Sequence, residues 1–84
     1  MALSFSEEYI SRIRRLFDLN LYEAKVWLAL LSQGRSTTSK LSDIANIPKS
    51  RAYDILVSLE NSGFVIKEAT KPMSYSAVPP TELL

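Results

Sequence analysis

Residues 47–65 read IPKSRAYDILVSLENSGFV, and the fold turns on this stretch. Pro48 cannot continue a preceding helix but is well suited to open a new one, because its φ is already helical and it has no N–H to leave unpaired. From Lys49 to Asn61, Ala52, Ile55, Leu56 and Leu59 recur at i, i+3, i+4 and i+7, the spacing of one apolar helical stripe. Ser62 and Gly63 stop the helix, and the period then changes from helical to alternating at Phe64, Val65 and Ile66, a run rich in aromatic and β-branched residues.

Upstream, Thr37 or Thr38 caps a short helix carrying Leu41, Ile44 and Ala45, which Asn46 ends by turning left-handed. A short helix joined by a tight turn to a longer one is a helix-turn-helix layout. Before it, Asn20 and Glu23 have capping-box spacing and open a helix over residues 21–32 that ends at Gly34. Ala24, Trp27, Leu28 and Leu31 form one stripe and Val26, Ala29 and Leu30 a second, so this helix is buried on most sides, either at the centre of the domain or in a dimer contact. The first helix is expected to start at Ser4, with Glu7 completing a capping box and Ile10, Ile13, Leu16 and Phe17 on its apolar stripe.

Downstream, residues 69–72 make a turn, and Met73, Tyr75 and Ala77 alternate with Ser74, Ser76 and Val78 as a second strand that Pro79 and Pro80 end. The expected fold class is mainly α with a small β-hairpin wing, a winged helix-turn-helix. It forms one domain over residues 1–84: an N-terminal helix over 1–18, a helical core over 19–62, the wing over 63–79 and the start of a further helix over 80–84.

Composition excludes several functions. The chain has no cysteine and no histidine, which removes disulfides, thiolate metal sites and the usual agents of acid–base catalysis. Its two glycines, Gly34 and Gly63, are too far apart for a phosphate-cradling loop. No acid–base pair stands out among the carboxylates, so no enzyme, metal or cofactor is expected. The longest apolar run, residues 26–31, is far short of a membrane span, and no signal-peptide layout precedes it, so a cytoplasmic place without membrane contact is expected. Net charge is only +1. A nucleic-acid partner therefore requires the basic groups to gather on one face.

The second helix of a helix-turn-helix enters the major groove with its N-terminal residues toward the base edges. Here those residues are Lys49, Ser50, Arg51, Tyr53 and Asp54. Arg51 is able to grip a guanine edge with two hydrogen bonds, Lys49 to act as a point charge on phosphate, and Ser50 and Tyr53 to donate to phosphate oxygens. The competing account is an ordinary solvated turn in which Arg51 pairs with Asp54 and Tyr53 packs on neighbouring helices. On the hairpin, Lys67, Thr70 and Lys71 are candidates for backbone contact; the alternative for strand lysines is protection of a sheet edge. Arg35 and Lys40 flank the short helix and are weaker candidates, while Arg12, Arg14 and Arg15 read as a solvated face.

Residues 47–65 closely resemble the recognition helix and first wing strand of the TrmB family of archaeal and bacterial transcription regulators. Its most specific part is the PKSRAYD run at 48–54. LNLYEAKVWLALLSQG at 19–34 is similar to the helix that precedes the motif in that family, and KPMSYSAVPPTELL at 71–84 to its second wing strand and following helix. Asn20 and Asn46 stand where members often have glycine, a change those turn and cap positions tolerate. The resemblance implies a sequence-specific regulator of double-stranded DNA, with Ser50, Arg51 and Tyr53 at the DNA, expected to act as a homodimer on a two-fold site. Members often continue through a dimerising helix into an effector-binding domain, so the chain reads as either a trimmed fragment or a minimal member, and no effector is assigned. The alternative function is a winged helix used as a protein–protein interaction module, which the near-neutral charge favours.

Overall fold

The computed structural model describes residues 5–83. In chain order it contains α1 (Glu7–Phe17), α2 (Leu21–Gln33), β1 (Ser36–Thr37), α3 (Thr38–Ala45), α4 (Lys49–Asn61), β2 (Val65–Glu68), β3 (Ser74–Ala77) and a 3₁₀ turn at Pro80–Glu82. This is the winged helix-turn-helix expected from the sequence, with α3 and α4 as the motif and β2–β3 as the wing.

Local chemistry sets most of the boundaries. Asn20 and Glu23 form the reciprocal capping box: the Glu23 N–H donates to Asn20 Oδ1 at 2.8 Å and the Asn20 N–H to Glu23 Oε1 at 2.9 Å. Thr37 caps α3 by accepting from the Lys40 N–H. Asn46 ends α3 with φ 57°, in the left-handed region that asparagine tolerates. The turn into α4 is closed from inside, where the buried Ser42 hydroxyl donates to the Ile47 carbonyl at 2.8 Å. The angle between the two helices of the motif is thereby fixed by a satisfied polar contact rather than by apolar packing alone.

α2 is the centre of the chain's own core. Ala24, Val26, Trp27, Leu28, Ala29 and Leu30 are all buried within the single chain, in one cluster with Leu41, Leu56, Leu59, Val65 and Tyr75. The Trp27 ring meets Phe17 edge-on at 4.9 Å and Phe64 at 5.4 Å, joining α1, α2 and the base of the wing. Its indole N–H donates to the Val78 carbonyl at 3.3 Å and so ties α2 to the chain just after β3.

Several expectations need correction. α1 starts at Glu7, capped by Ser6, whose hydroxyl accepts from the Tyr9 N–H; Ser4 lies outside the described residues. Leu16 and Leu31 are exposed rather than on buried stripes, since each falls at the edge of its helix's apolar arc near a helix end. The sheet has a third strand. β1 pairs antiparallel with β3, giving the order β1-β3-β2. The segment at 80–82 is a 3₁₀ turn.

Candidate nucleic-acid interface

The residues of α4 sort into four directions. Ala52, Ile55, Leu56 and Leu59 are buried against the core. Opposite them lie Ser50, Asp54 and Asn61, all exposed, and half-buried Val57, at i, i+4, i+11 and i+7. This outward stripe is what a groove floor would meet. One flank, with Arg51 and Ser58, faces the start of α2. The other, with Tyr53 and Glu60, faces the wing.

The flank toward α2 is held at two points. The Arg51 guanidinium lies over the Tyr22 ring, 5.3 Å from its centre. At an exposed position such a contact contributes about 0.5–1 kcal/mol. One turn or two further on, the Ser58 hydroxyl donates to Glu23 Oε2 at 2.7 Å. Glu23 therefore uses one carboxylate oxygen to cap α2 and the other to hold α4. Among the described residues the ion pairs are Arg12–Glu8 and Arg35–Glu68, so Arg51 and Asp54 do not form the i, i+3 pair.

The flank toward the wing carries Tyr53, 55% exposed. Buried Tyr75 of β3 lies near it. Burial pushes the Tyr75 hydroxyl's pKa up, and the neighbouring Tyr53 and Glu60 add to the shift. Lys67 pairs with Tyr75 across the hairpin, which puts it on the sheet face turned to the helices, and it is exposed. β2 is also an edge strand, so Lys67 meets the description of an edge guard as well.

The helix start stands open. Pro48 offers no side-chain acceptor, so no side chain caps the first N–H groups of α4. Lys49, Ser50, Arg51, Tyr53 and Asp54 are all exposed there, one contiguous surface. Lys71, at the wing tip, is exposed, and Lys40 is exposed on the first turn of α3. Two candidates are engaged within the fold. The Thr70 hydroxyl donates to the Pro72 carbonyl at 2.8 Å and lies 3.0 Å from the Ser74 hydroxyl. Arg35 reaches Glu68 at 3.3 Å on the sheet face opposite Lys67, linking the outer strands across β3. On α1, Arg12 pairs with Glu8 and Arg14 donates to the Leu19 carbonyl, as befits a solvated face.

The residue that sequence reasoning missed is Tyr22. It continues the second apolar stripe of α2, with Val26, Ala29 and Leu30 at i+4, i+7 and i+8, and packs half-buried against the core; that spacing is the signal that could have found it, while its contact with Arg51 depends on the approach of α4. An open notch between the two helices is lined by Asn20, Leu21, Tyr22, Arg51 and Ile55. Among the described residues no group of acidic side chains is arranged to hold a metal ion, and no helix is long and apolar enough to cross a membrane.

Residues 14–81 match the family described as "Sugar-specific transcriptional regulator TrmB". The DNA-binding HTH-type transcriptional repressor TrmBL2 of Thermococcus kodakarensis is 36% identical over 78 residues, covering 93% of this chain and 30% of the relative. A solved structure of TrmBL2, described as an archaeal chromatin protein with a novel mode of DNA binding, superposes with a TM-score of 0.84 at 34% identity, over 92% of this chain and 30% of that one. A MarR family transcriptional regulator from Silicibacter pomeroyi shares the fold at a TM-score of 0.69 and 19% identity, over 86% of this chain and 55% of its own. The chain thus spans under a third of the length of the TrmBL2 proteins it matches. With the family match running along most of its residues and more than a third of the aligned positions identical to such a relative, the chain belongs to the TrmB family.

Proposed function

We propose that this chain is the reading head of a transcription regulator that binds double-stranded DNA in a sequence-specific way. The observation that carries this reading is the exposed N-terminal half of α4, where Lys49, Ser50, Arg51 and Tyr53 stand together beside a projecting hairpin. An α-helix fits the major groove, and basic, hydroxyl and aromatic groups suit phosphates and base edges. The naming of TrmBL2 as a DNA-binding repressor supports the same reading.

In this arrangement α4 lies in the major groove. Ser50 and Asp54 face the floor, where Asp54 accepts from the exocyclic amine of a cytosine. Lys49 and Tyr53 meet the backbone, and Lys67 and Lys71 carry the wing onto the neighbouring phosphates. Lys40 adds a peripheral contact. Arg35 and Thr70 serve the wing's own structure first and reach DNA only if their present partners are released. The head works as one half of a homodimer on a two-fold site, in the cytoplasm, with no catalytic role and no cofactor.

Duplex binding measured by fluorescence anisotropy across a salt series tests the proposal. Affinity should fall linearly in log–log form with a slope of roughly 0.9 per neutralised phosphate. A chain with no duplex affinity at low salt would refute it.

A further inference from the structure

We propose that Arg51 and Tyr22 form a grip on the DNA backbone, in which Arg51 binds a phosphate and Tyr22 is the positioning residue that aims it. Arg51 is then not a reader of bases. The inference rests on the reading of α4 as a major-groove helix and assigns one flank of it a separate task.

The direction of Arg51 comes first. It is a quarter-turn away from the outward stripe of Ser50, Asp54 and Asn61, and its guanidinium is carried sideways to a residue of another helix. A helix with its side chains is about 10–12 Å across, and the major groove is about 12 Å wide. A helix seated there fills the groove, so its outward stripe meets the floor and its flanks meet the phosphate walls. Tyr22 belongs to α2, outside the inserted helix, and a guanidinium parked on it stands at the wall.

The chemistry of the contact agrees. Stacking on an aromatic ring uses the flat face of the guanidinium and leaves its in-plane N–H groups free. No carboxylate occupies them among the described residues, since neither ion pair in the fold involves Arg51. The notch around the pair, lined also by Asn20, Leu21 and Ile55, opens to solvent and contains no acidic side chain in its lining. Arg51 is thus charged, oriented, uncompensated and placed where a phosphate oxygen passes. Tyr22 also limits the freedom of a long side chain, which lowers the ordering cost when the phosphate arrives.

The test uses two labelled duplexes, one recovered by selection from a random library and one of scrambled sequence. Arg51→Ala should weaken both by a similar factor, roughly tenfold, and lower the salt slope by about one. Tyr22→Leu keeps the bulk and loses the ring. It should weaken both duplexes about two- to fivefold and add nothing in the Arg51→Ala background, whereas Tyr22→Phe should bind like the parent. Circular dichroism melts of each variant confirm that the fold is retained. Relaxed preference at one base pair in Arg51→Ala, with scrambled-duplex affinity untouched, would show a base reader and overturn the proposal while leaving the major-groove reading intact. So would a folded Tyr22→Leu that binds like the parent. Failure of the parent chain to bind either duplex would remove the major-groove reading and this grip together.

Discussion

Replacing Glu23 with alanine tests how α4 is held. The half-buried Glu23 side chain makes two different contacts, one from each carboxylate oxygen. Loss of the contact to the Asn20 N–H at 2.9 Å removes one half of the reciprocal cap of α2, while Asn20 Oδ1 still accepts from the backbone N–H of residue 23, a change that costs about 0.5–1.5 kcal/mol. Loss of the Ser58 contact at 2.7 Å removes a tether between α2 and α4, about 0.5–1.5 kcal/mol. Alanine's better helix propensity returns a few tenths. The net expectation is a destabilisation of about 1–3 kcal/mol, against roughly 0.5–1.5 kcal/mol for Ser58→Ala, which leaves the cap in place. Urea unfolding is a suitable assay: with an m-value of roughly 1 kcal/mol/M, the Glu23→Ala midpoint moves down by about 1 M or more. In the double variant the two effects should fall short of additivity, because the Ser58 contact is lost only once. A Glu23→Ala change below about 0.3 kcal/mol, or strict additivity with Ser58→Ala, would refute the two-sided role of this carboxylate.

Three further outcomes are expected. Asp54→Ala should flatten the preference at one base pair by about 1–3 kcal/mol and raise affinity for scrambled duplex, because a carboxylate at the groove floor discriminates for an amine and repels phosphate; a selection profile identical to the parent's would count against it. Lys71→Ala should weaken all duplexes alike and reduce the salt slope by about one, and a change confined to one sequence would contradict the wing-tip contact. Stability should decline as pH rises past about 10, since the unfolded chain's Tyr75 ionises there while the folded pKa is held higher by burial, so the unfolded state binds fewer protons. Thermal melts of Tyr75→Phe should show a shallower alkaline decline, and an unchanged one would mean that Tyr75 does not carry it.

The parts of the fold legible in the sequence were those fixed by local chemistry. Pro48 and Ser62–Gly63 bracket α4, Asn20 with Glu23 starts α2, and Asn46 ends α3, each through a preference that acts within a few residues. The misplaced features depend on partners distant in the chain. β1 is two residues long, too short for any periodicity, and exists because Ser36 and Thr37 pair with Tyr75 and Ser74 of β3. Leu16 and Leu31 have helical spacing but no neighbour to cover them. Ser4 and Ser6 both precede Glu7, and the sequence rule that favoured Ser4 assumed that Glu7 reaches back, whereas Glu7 is the first helical residue. The candidate site divides in the same way. The exposure of Lys49, Ser50, Arg51, Tyr53 and Asp54 follows from the apolar stripe alone, while the Arg51–Tyr22 contact joins positions on different helices, and a reading confined to α4 offered Arg51 only Asp54 as an alternative partner within the fold.

The small net charge is reconciled with a phosphate partner by where the charges go. Glu68 is neutralised by Arg35 on the sheet face away from the helices, and Glu8 by Arg12 on α1. The surface formed by α4, the first turn of α3 and the wing retains Lys40, Lys49, Arg51, Lys67 and Lys71, all exposed, against outward Asp54 and half-buried Glu60. Five cations bound to phosphates set a salt slope of roughly 4 to 5 for a single head, and non-specific binding of this kind typically has a Kd of about 10⁻⁴ to 10⁻⁶ M at physiological salt. At about 1–3 kcal/mol each, base contacts from Ser50 and Asp54 reach the 10⁻⁸ M or better typical of operator binding only from the tight end of that range or with both contacts near full strength. Joining two heads closes that gap, because the second then binds at the high effective concentration set by the first. The surface charge of α4 and the wing, rather than any exposed apolar face, is therefore the physical ground for expecting this head to work in pairs. A strictly monomeric form of this chain should bind a half-site roughly a hundredfold or more weaker than paired heads bind the full site, and equal affinity would show that one head suffices.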